Sequence, residues 1–345
     1  MNAESDPEVV LEIRGLAVDY GYDERPTHVL RGLDLSLARG EVLGLAGESG
    51  CGKSTLVYAA TRLLPPPGLV TGGEVLFHRV GGEAVDILKM DDAELRASRW
   101  RDTAIVFQAA MNSLNPVRRL GVQLTDAIKA HEPSTAKAER LERAAQLLKT
   151  VGITADRLRS YPYELSGGMR QRAMIAMALA LNPSVLIMDE PTTALDVVSQ
   201  RQILEQITQL RHAYGFSVIF ITHDISLLIE IADRIAIMYA GEIVEVASAE
   251  GVYRHPRHPY SMGLVGSFPP LHGPRREMGG IPGSPLDLVN LPPGCPFAER
   301  CAYVMQHCRE SNPPLGPSAV PGDAKDRLVA CWLHSGGELP AALAQ

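Results

Sequence analysis

The stretch GESGCGKST, residues 47–55, constrains the fold more than any other part of the chain. It follows EVLGLAG (41–47), an apolar run without polar alternation, and leads into a segment of helical pattern that begins near Lys53. A glycine-rich turn between a buried strand and a helix calls for an α/β fold with a parallel sheet covered on both faces. The residues match G-x-x-x-x-G-K-[S/T] through Gly47, Gly52, Lys53 and Ser54. Glycines let backbone N–H groups turn toward an anion, and the following helix adds its positive end. Gly47, Glu48, Ser49, Gly50, Cys51, Gly52, Lys53, Ser54 and Thr55 therefore predict a cradle for nucleotide phosphates. Lys53 would reach the terminal phosphates, and the Ser54 hydroxyl would hold Mg2+. Cys51 reads as a small neutral filler of the loop.

Three more runs look like buried parallel strands: TAIVFQ (103–108), SVLIMDE (184–190) and SVIFITH (217–223). Between Ala109 and about Leu181 no such run occurs, and the periodicity is helical, which predicts a helical insert over about 109–181. Beyond about residue 250 proline and glycine become frequent and helical period fades, so 251–345 reads as a loop-rich appendage that would benefit from a staple. The 33 basic and 40 acidic residues leave a net charge of −7, which argues against a broad nucleic-acid surface. The opening MNAESDPEVV lacks the basic and apolar regions of a signal peptide, and no run reaches the roughly 18 apolar residues of a membrane span. The expectation is a cytosolic chain linked to any membrane through a partner.

Two further stretches carry chemistry. SVLIMDEP (184–191) ends a strand in two carboxylates, with Asp189 placed to hold Mg2+ and Glu190 to act as general base toward water. ELSGGMRQR (164–172) opens a helix with Ser166, Gly167 and Gly168, a hydroxyl and two unencumbered N–H groups at a positive helix end, hence a second anion site. Cys295, Cys301, Cys308 and Cys331 follow C-x5-C-x6-C-x22-C spacing. Four thiolates suit zinc or an iron–sulfur cluster, and the spacing contains neither the tight zinc hairpin nor the ferredoxin run, so the ligation leaves the metal open.

In this order the motifs resemble the ATP-binding cassette ATPases of ABC transporters across about 240 residues. The P-loop is 47–54, the Q-loop glutamine Gln108 and the signature LSGGM 165–169. The Walker B pair is Asp189 and Glu190, the D-loop ALD 194–196, and the switch histidine His223 in FITHD. The resemblance implies a P-loop NTPase (RecA-like) cassette with an antiparallel β subdomain and a helical subdomain. The cassette would span 1–250 and the extension 251–345. It implies that Tyr20 stacks on adenine, with Tyr22 a competitor. Gln108 would join the Mg2+ site, with Ser54 and Asp189, to the membrane subunit, and His223 would meet the γ-phosphate. It also implies that Ser166, Gly167 and Gly168 grip ATP held by a second cassette.

Met169, SLNP (113–116) and HPRHPY (255–260) resemble the oligopeptide/dipeptide/nickel importer branch. That branch implies an ATP-hydrolysing subunit peripheral to the cytoplasmic face of the membrane, powering uptake of peptides or a related small solute. Its partners would be a related second ATPase, two permease subunits and, indirectly, a solute-binding protein, with no nucleic acid. It also implies a [4Fe-4S] cluster on the four cysteines, with zinc as the alternative. Ala109 and Ala110 depart from the branch in the segment that faces the permease. A DNA-repair or translation-type cassette would show long coiled coils or a second cassette, and neither is present. An exporter ATPase, commonly fused to membrane spans, and a metal- or redox-regulated ATPase are further rivals.

Overall fold

Unbroken apolar runs become buried strands here, and glycine or capping residues mark where they turn into helices. The structure, a computed structural model, describes residues 8–22, 26–108, 113–193, 195–267 and 280–334. In chain order the elements begin with β1 (Val9–Tyr20), β2 (Thr27–Ala38), β3 (Val42–Ala46), α1 (Lys53–Ala60), β4 (Gly68–His78) and β5 (Ala84–Asp86). There follow α2 (Asp92–Ser98), β6 (Thr103–Val106), α3 (Leu120–His131), α4 (Lys137–Thr150), α5 (Gly167–Ala178) and β7 (Val185–Asp189). Next are α6 (Val197–Tyr214), β8 (Ser217–Ile221), α7 (Ile225–Ile231), β9 (Arg234–Tyr239), β10 (Glu242–Ser248), α8 (Ala249–Arg254) and α9 (Pro259–Gly266). The chain closes with α10 (Gln306–Glu310), β11 (Gly316–Pro317) and β12 (Leu328–Val329). The four strands expected from the sequence are thus β3, β6, β7 and β8. Every residue of β3, β7 and β8 is buried, and each buried aliphatic side chain contributes about 1.5–3 kcal/mol.

The chain divides into two compact units. The first takes its described residues from Met1–Leu11, Ser36–Glu41 and Leu76–Ile221. In it β6, β7 and β8 pair in parallel, Thr103 opposite Val185 and Val185 opposite Ser217. The expected helical insert is present as α3, α4 and α5, with no strand among the described residues between 109 and 181. Helix α4 is charged on most of its surface and buries Ala144 and Leu148, four residues apart on one face. Ala127, Ile128 and Ala180 form a small core against which Leu147 and Met177 pack. Helix α6 starts on Asp196, whose carboxylate accepts the Ser199 N–H, and stops at Gly215, where φ is 72°. It buries Ile203, Leu204, Ile207 and Leu210.

The second unit takes its described residues from Glu12–Leu35, Val42–Val75 and Thr222–Gln345. Here β3 pairs in parallel with β9, and β9 in antiparallel with β10. The extension then adds to this layer: β12 pairs antiparallel with β10, Glu245 opposite Val329, and β11 pairs with β12. A buried polar network fastens it. The Glu245 carboxylate, fully buried, accepts the backbone N–H of Arg257 (2.9 and 3.1 Å) and of His258 (2.8 Å), and Nη2 of Arg327 (2.6 Å). Asp323 takes a forked pair from Arg257 at 3.0 and 2.9 Å. Burial works against its charge, yet bonds from Arg257 and Ser318 hold its carboxyl below the ordinary value. HPRHPY thus has a structural reason: it supplies two N–H donors to one carboxylate. Among the described residues no helix is long and apolar enough to cross a membrane.

Candidate nucleotide site

The phosphate loop sits in the second unit, between β3 and α1, and its backbone requires glycine. Gly47, Gly50 and Gly52 have φ of 153°, 81° and 107°. A Cβ on Gly47 would also run into the Met238 carbonyl oxygen. Gly52 caps α1 without a side-chain hydrogen bond, so the first N–H groups of the helix are left for an anion. Lys53 is 6% exposed, and its ammonium donates to Gly47 O (2.8 Å) and Glu48 O (2.9 Å), with Cys51 Sγ at 3.8 Å. Those bonds fold the lysine over its own loop, its charge facing the turn. Burial pushes the Cys51 thiol up in spite of Lys53, so this cysteine is a protonated filler. Tyr20 lies half-buried on β1 and Tyr22 stands 71% exposed just past it, both in this unit. His223, exposed between β8 and α7, is in this unit as well.

The first unit holds the other groups. Asp189 ends β7 fully buried, and Glu190 follows at φ 46°, a left-handed conformation unusual for a residue with a Cβ. The Glu190 N–H donates to Ile221 O at 3.0 Å. Its carboxylate accepts from Gln108 Nε2 at 2.9 Å and from Thr193 Oγ1 at 3.1 Å. Gln108 and Glu190, 82 residues apart, are therefore brought together, while Thr193 is a partner that sequence reading passed over. Ser166 caps α5 and accepts the Met169 N–H at 3.3 Å, and Gly167 and Gly168 form the first helical turn. Ser166 is exposed, so this helix end opens to the surroundings. Ala109, Ala110 and Ala194 lie outside the described residues.

Sequence reading also missed what lies against the P-loop. The Arg300 guanidinium forms a two-pronged pair with the Glu48 carboxylate, 2.7 Å from Nη1 and 2.8 Å from Nη2. The Tyr260 hydroxyl accepts the Glu48 N–H at 2.8 Å. Tyr239, Tyr260 and Phe297 pack with ring centroids 4.7–5.4 Å apart beside this contact. Arg300 directly precedes Cys301 and Tyr260 closes HPRHPY, and neither position carries a local signal that points to Glu48.

The cysteine expectation needs correction. Cys295, Cys301, Cys308 and Cys331 do line one small cavity, and all are free of disulfides. Yet among the described residues no group of three or more His, Cys, Asp or Glu side chains is arranged to hold a metal ion. The [4Fe-4S] cluster, the zinc alternative and a metal-binding role are withdrawn. Burial raises the Cys301 thiol and lifts Cys295 to about 11 and Cys331 to about 12, and neighbouring thiols raise them further. These residues instead pack and tie loops, the Cys295 N–H to Cys308 O at 2.7 Å and the Tyr303 N–H to Cys301 Sγ at 3.3 Å.

The sequence profile of the ABC transporter family matches residues 30–193, and that of the oligopeptide/dipeptide transporter C-terminal region matches 244–308. The oligopeptide transport ATP-binding protein OppD of Bacillus subtilis (strain 168) is 43% identical over 310 residues, 89% of this chain and 85% of that one. The dipeptide transport ATP-binding protein DppD of the same organism is 41% identical over 330 residues, 95% of each. Among solved structures, the ATP-binding cassette MJ0796, captured as a dimer in a post-hydrolysis state with ADP and Pi, superposes with a TM-score of 0.60. It is 28% identical and covers 69% of this chain and 98% of its own. With this similarity along nearly its whole length, the chain belongs to the family of ABC transporter ATP-binding proteins that carry the oligopeptide/dipeptide-type C-terminal region.

Proposed function

We propose that this ATPase powers import of peptides, or of a related small solute, through membrane permease partners. The observation that carries the reading is the P-loop itself: three glycines at positive φ, an uncapped helix start and a buried Lys53 gathered at one turn. Lys53 and the loop N–H groups bind the phosphates, and Ser54, Gln108 and Asp189 are the residues that would hold Mg2+. When bound, the ion neutralises charge developing on the transferred phosphoryl group. Glu190 accepts the proton of the attacking water, and Gln108, hydrogen-bonded to that carboxylate, orients it. His223 contacts the γ-phosphate and Tyr20 the adenine. The Ser166–Gly168 helix end, exposed at Ser166, serves ATP bound to a second cassette, a related chain, so two cassettes close around two nucleotides. Residues 1–250 act as the cassette, and the region around Gln108 passes closure to two permease subunits on the cytoplasmic face. A solute-binding protein delivers the cargo. Relatives named for oligopeptide and dipeptide transport support the cargo class.

The test is reconstitution with the permease partners in proteoliposomes and measurement of labelled oligopeptide uptake. Uptake that depends on ATP is expected. ATP hydrolysis without any peptide uptake would remove the cargo assignment. Separately, Lys53→Ala is expected to weaken ATP binding at least about thirtyfold, because it deletes a buried charge partner. Unchanged binding in that variant would remove the P-loop as the nucleotide site.

A further inference from the structure

We propose that the C-terminal extension is part of the nucleotide site: Arg300, through its two-pronged pair with Glu48, positions the phosphate loop for ATP. Glu48 follows Gly47 directly and is itself a loop residue. A carboxylate there lies on the loop that must receive a polyanion, and its charge opposes binding unless it is neutralised. Arg300 is the group that neutralises it. Its side chain is 7% exposed and that of Glu48 22%, so the pair is largely shielded from water, where charge interactions are strongest. Planar guanidinium and carboxylate meet by two parallel N–H···O bonds, which fix orientation as well as charge.

Arg300 is held in turn. Nε donates to Pro282 O at 2.7 Å, and Nη1 lies 3.4 Å from the Tyr239 hydroxyl. Gly283, at φ 75°, makes room, since a Cβ there would stand 3.4 Å from Arg300 Cγ. The loop is also gripped from the same side by Tyr260, which takes the Glu48 N–H. A shallow pocket between Ser49–Cys51 and extension residues Pro285, Leu286 and Leu288 continues the contact. The extension thus fixes the Glu48 side chain and its N–H, while Lys53 fixes the Glu48 carbonyl. All three polar groups of one loop residue are spoken for, two of them by residues more than 200 positions away. Arg300 is a positioning residue, acting on ATP through Glu48.

This inference rests on the proposed nucleotide site, and the experiment separates the two. Steady-state ATP hydrolysis by the full chain assembled with its partners gives KM and kcat for Arg300→Gln, Arg300→Lys, Glu48→Gln and the double variant R300Q/E48Q. Removing one member of a shielded charge pair is expected to raise the KM for ATP about tenfold in Arg300→Gln. The kcat should stay within about threefold, because the attacking-water groups are untouched. Arg300→Lys keeps the charge, loses the fork, and recovers part of the loss. The double variant removes the uncompensated carboxylate and returns KM to near the parent value. A merely structural role for Arg300 would lower thermal stability without rescue by Glu48→Gln. An unchanged KM in Arg300→Gln, or a double variant as impaired as Arg300→Gln, overturns the proposal. If Arg300→Gln does not fold, Arg300→Lys carries the test, and a parental KM there overturns it equally. Lys53→Ala is measured in parallel. If it keeps full ATP binding, the nucleotide site is wrong. If it loses binding while Arg300→Gln does not, only the role of Arg300 falls.

Discussion

Glu190 combines two properties that pull against each other. Its carboxylate is presented to Gln108 and Thr193, and its backbone is held left-handed at φ 46°. Such a conformation costs about 1–3 kcal/mol for a residue with a Cβ, and the bond from its N–H to Ile221 O is part of what enforces it. Glu190→Gln keeps size and backbone, so ATP binding is expected to survive while turnover drops at least about a hundredfold, the usual loss of a general base. Parental turnover in that variant would take Glu190 out of the chemistry. Glu190→Gly is expected to be equally inactive yet to unfold at a higher temperature, because glycine relieves the strain. Calorimetry on the two variants separates catalytic carboxylate from strained backbone.

At the level of elements, α9 shows how the extension is locked. His258 caps it, with Pro259 at the first helical position, and its Nδ1 accepts the Tyr260 N–H at 3.0 Å. The ring is buried, and burial, aided by the charge of nearby His334, lowers its pKa from 6.5 to about 3. Between those values the unfolded chain binds a proton that the folded chain refuses. Stability from this group is therefore complete above pH 6.5 and declines as pH falls toward 3, by about 1.4 kcal/mol per unit. Asparagine can cap a helix and does not titrate. His258→Asn is expected to flatten the loss between pH 6.5 and 4 in urea titrations, with little change at pH 8. A parallel decline in parent and variant would mean that other groups carry the acid sensitivity.

Across the molecule, what was legible in the sequence is what neighbouring residues build together. Gly47, Gly52 and Lys53 lie within seven positions, Ser166–Gly168 within three, and β7 runs straight into Asp189–Glu190. Turn chemistry and strand pattern suffice for these. Arg300–Glu48 joins residues 252 positions apart and Arg327–Glu245 residues 82 apart. Neither pair leaves a period or spacing to read. The cysteines show the converse: their spacing predicted a metal site, whereas the four sulfurs line one cavity and no group of side chains among the described residues is arranged to hold a metal ion.

The pairing of β12 onto β10 has one more consequence. Without it, the backbone at Glu245 and Val246 would lose its outer partner and leave N–H and C=O groups open at the margin of β10, a template on which a second copy could add a strand. In the intact chain the outermost strand is instead β11, two residues long and ending in Pro317, which has no N–H to offer. A chain cut after residue 310, carrying Glu245→Gln so that no unpaired charge is left, is expected to self-associate as concentration rises, while the full chain does not. Sedimentation velocity reads this directly. A truncated chain that stays monodisperse would show that the margin is harmless. Otherwise the extension is also what keeps this ATPase from polymerising through its own sheet.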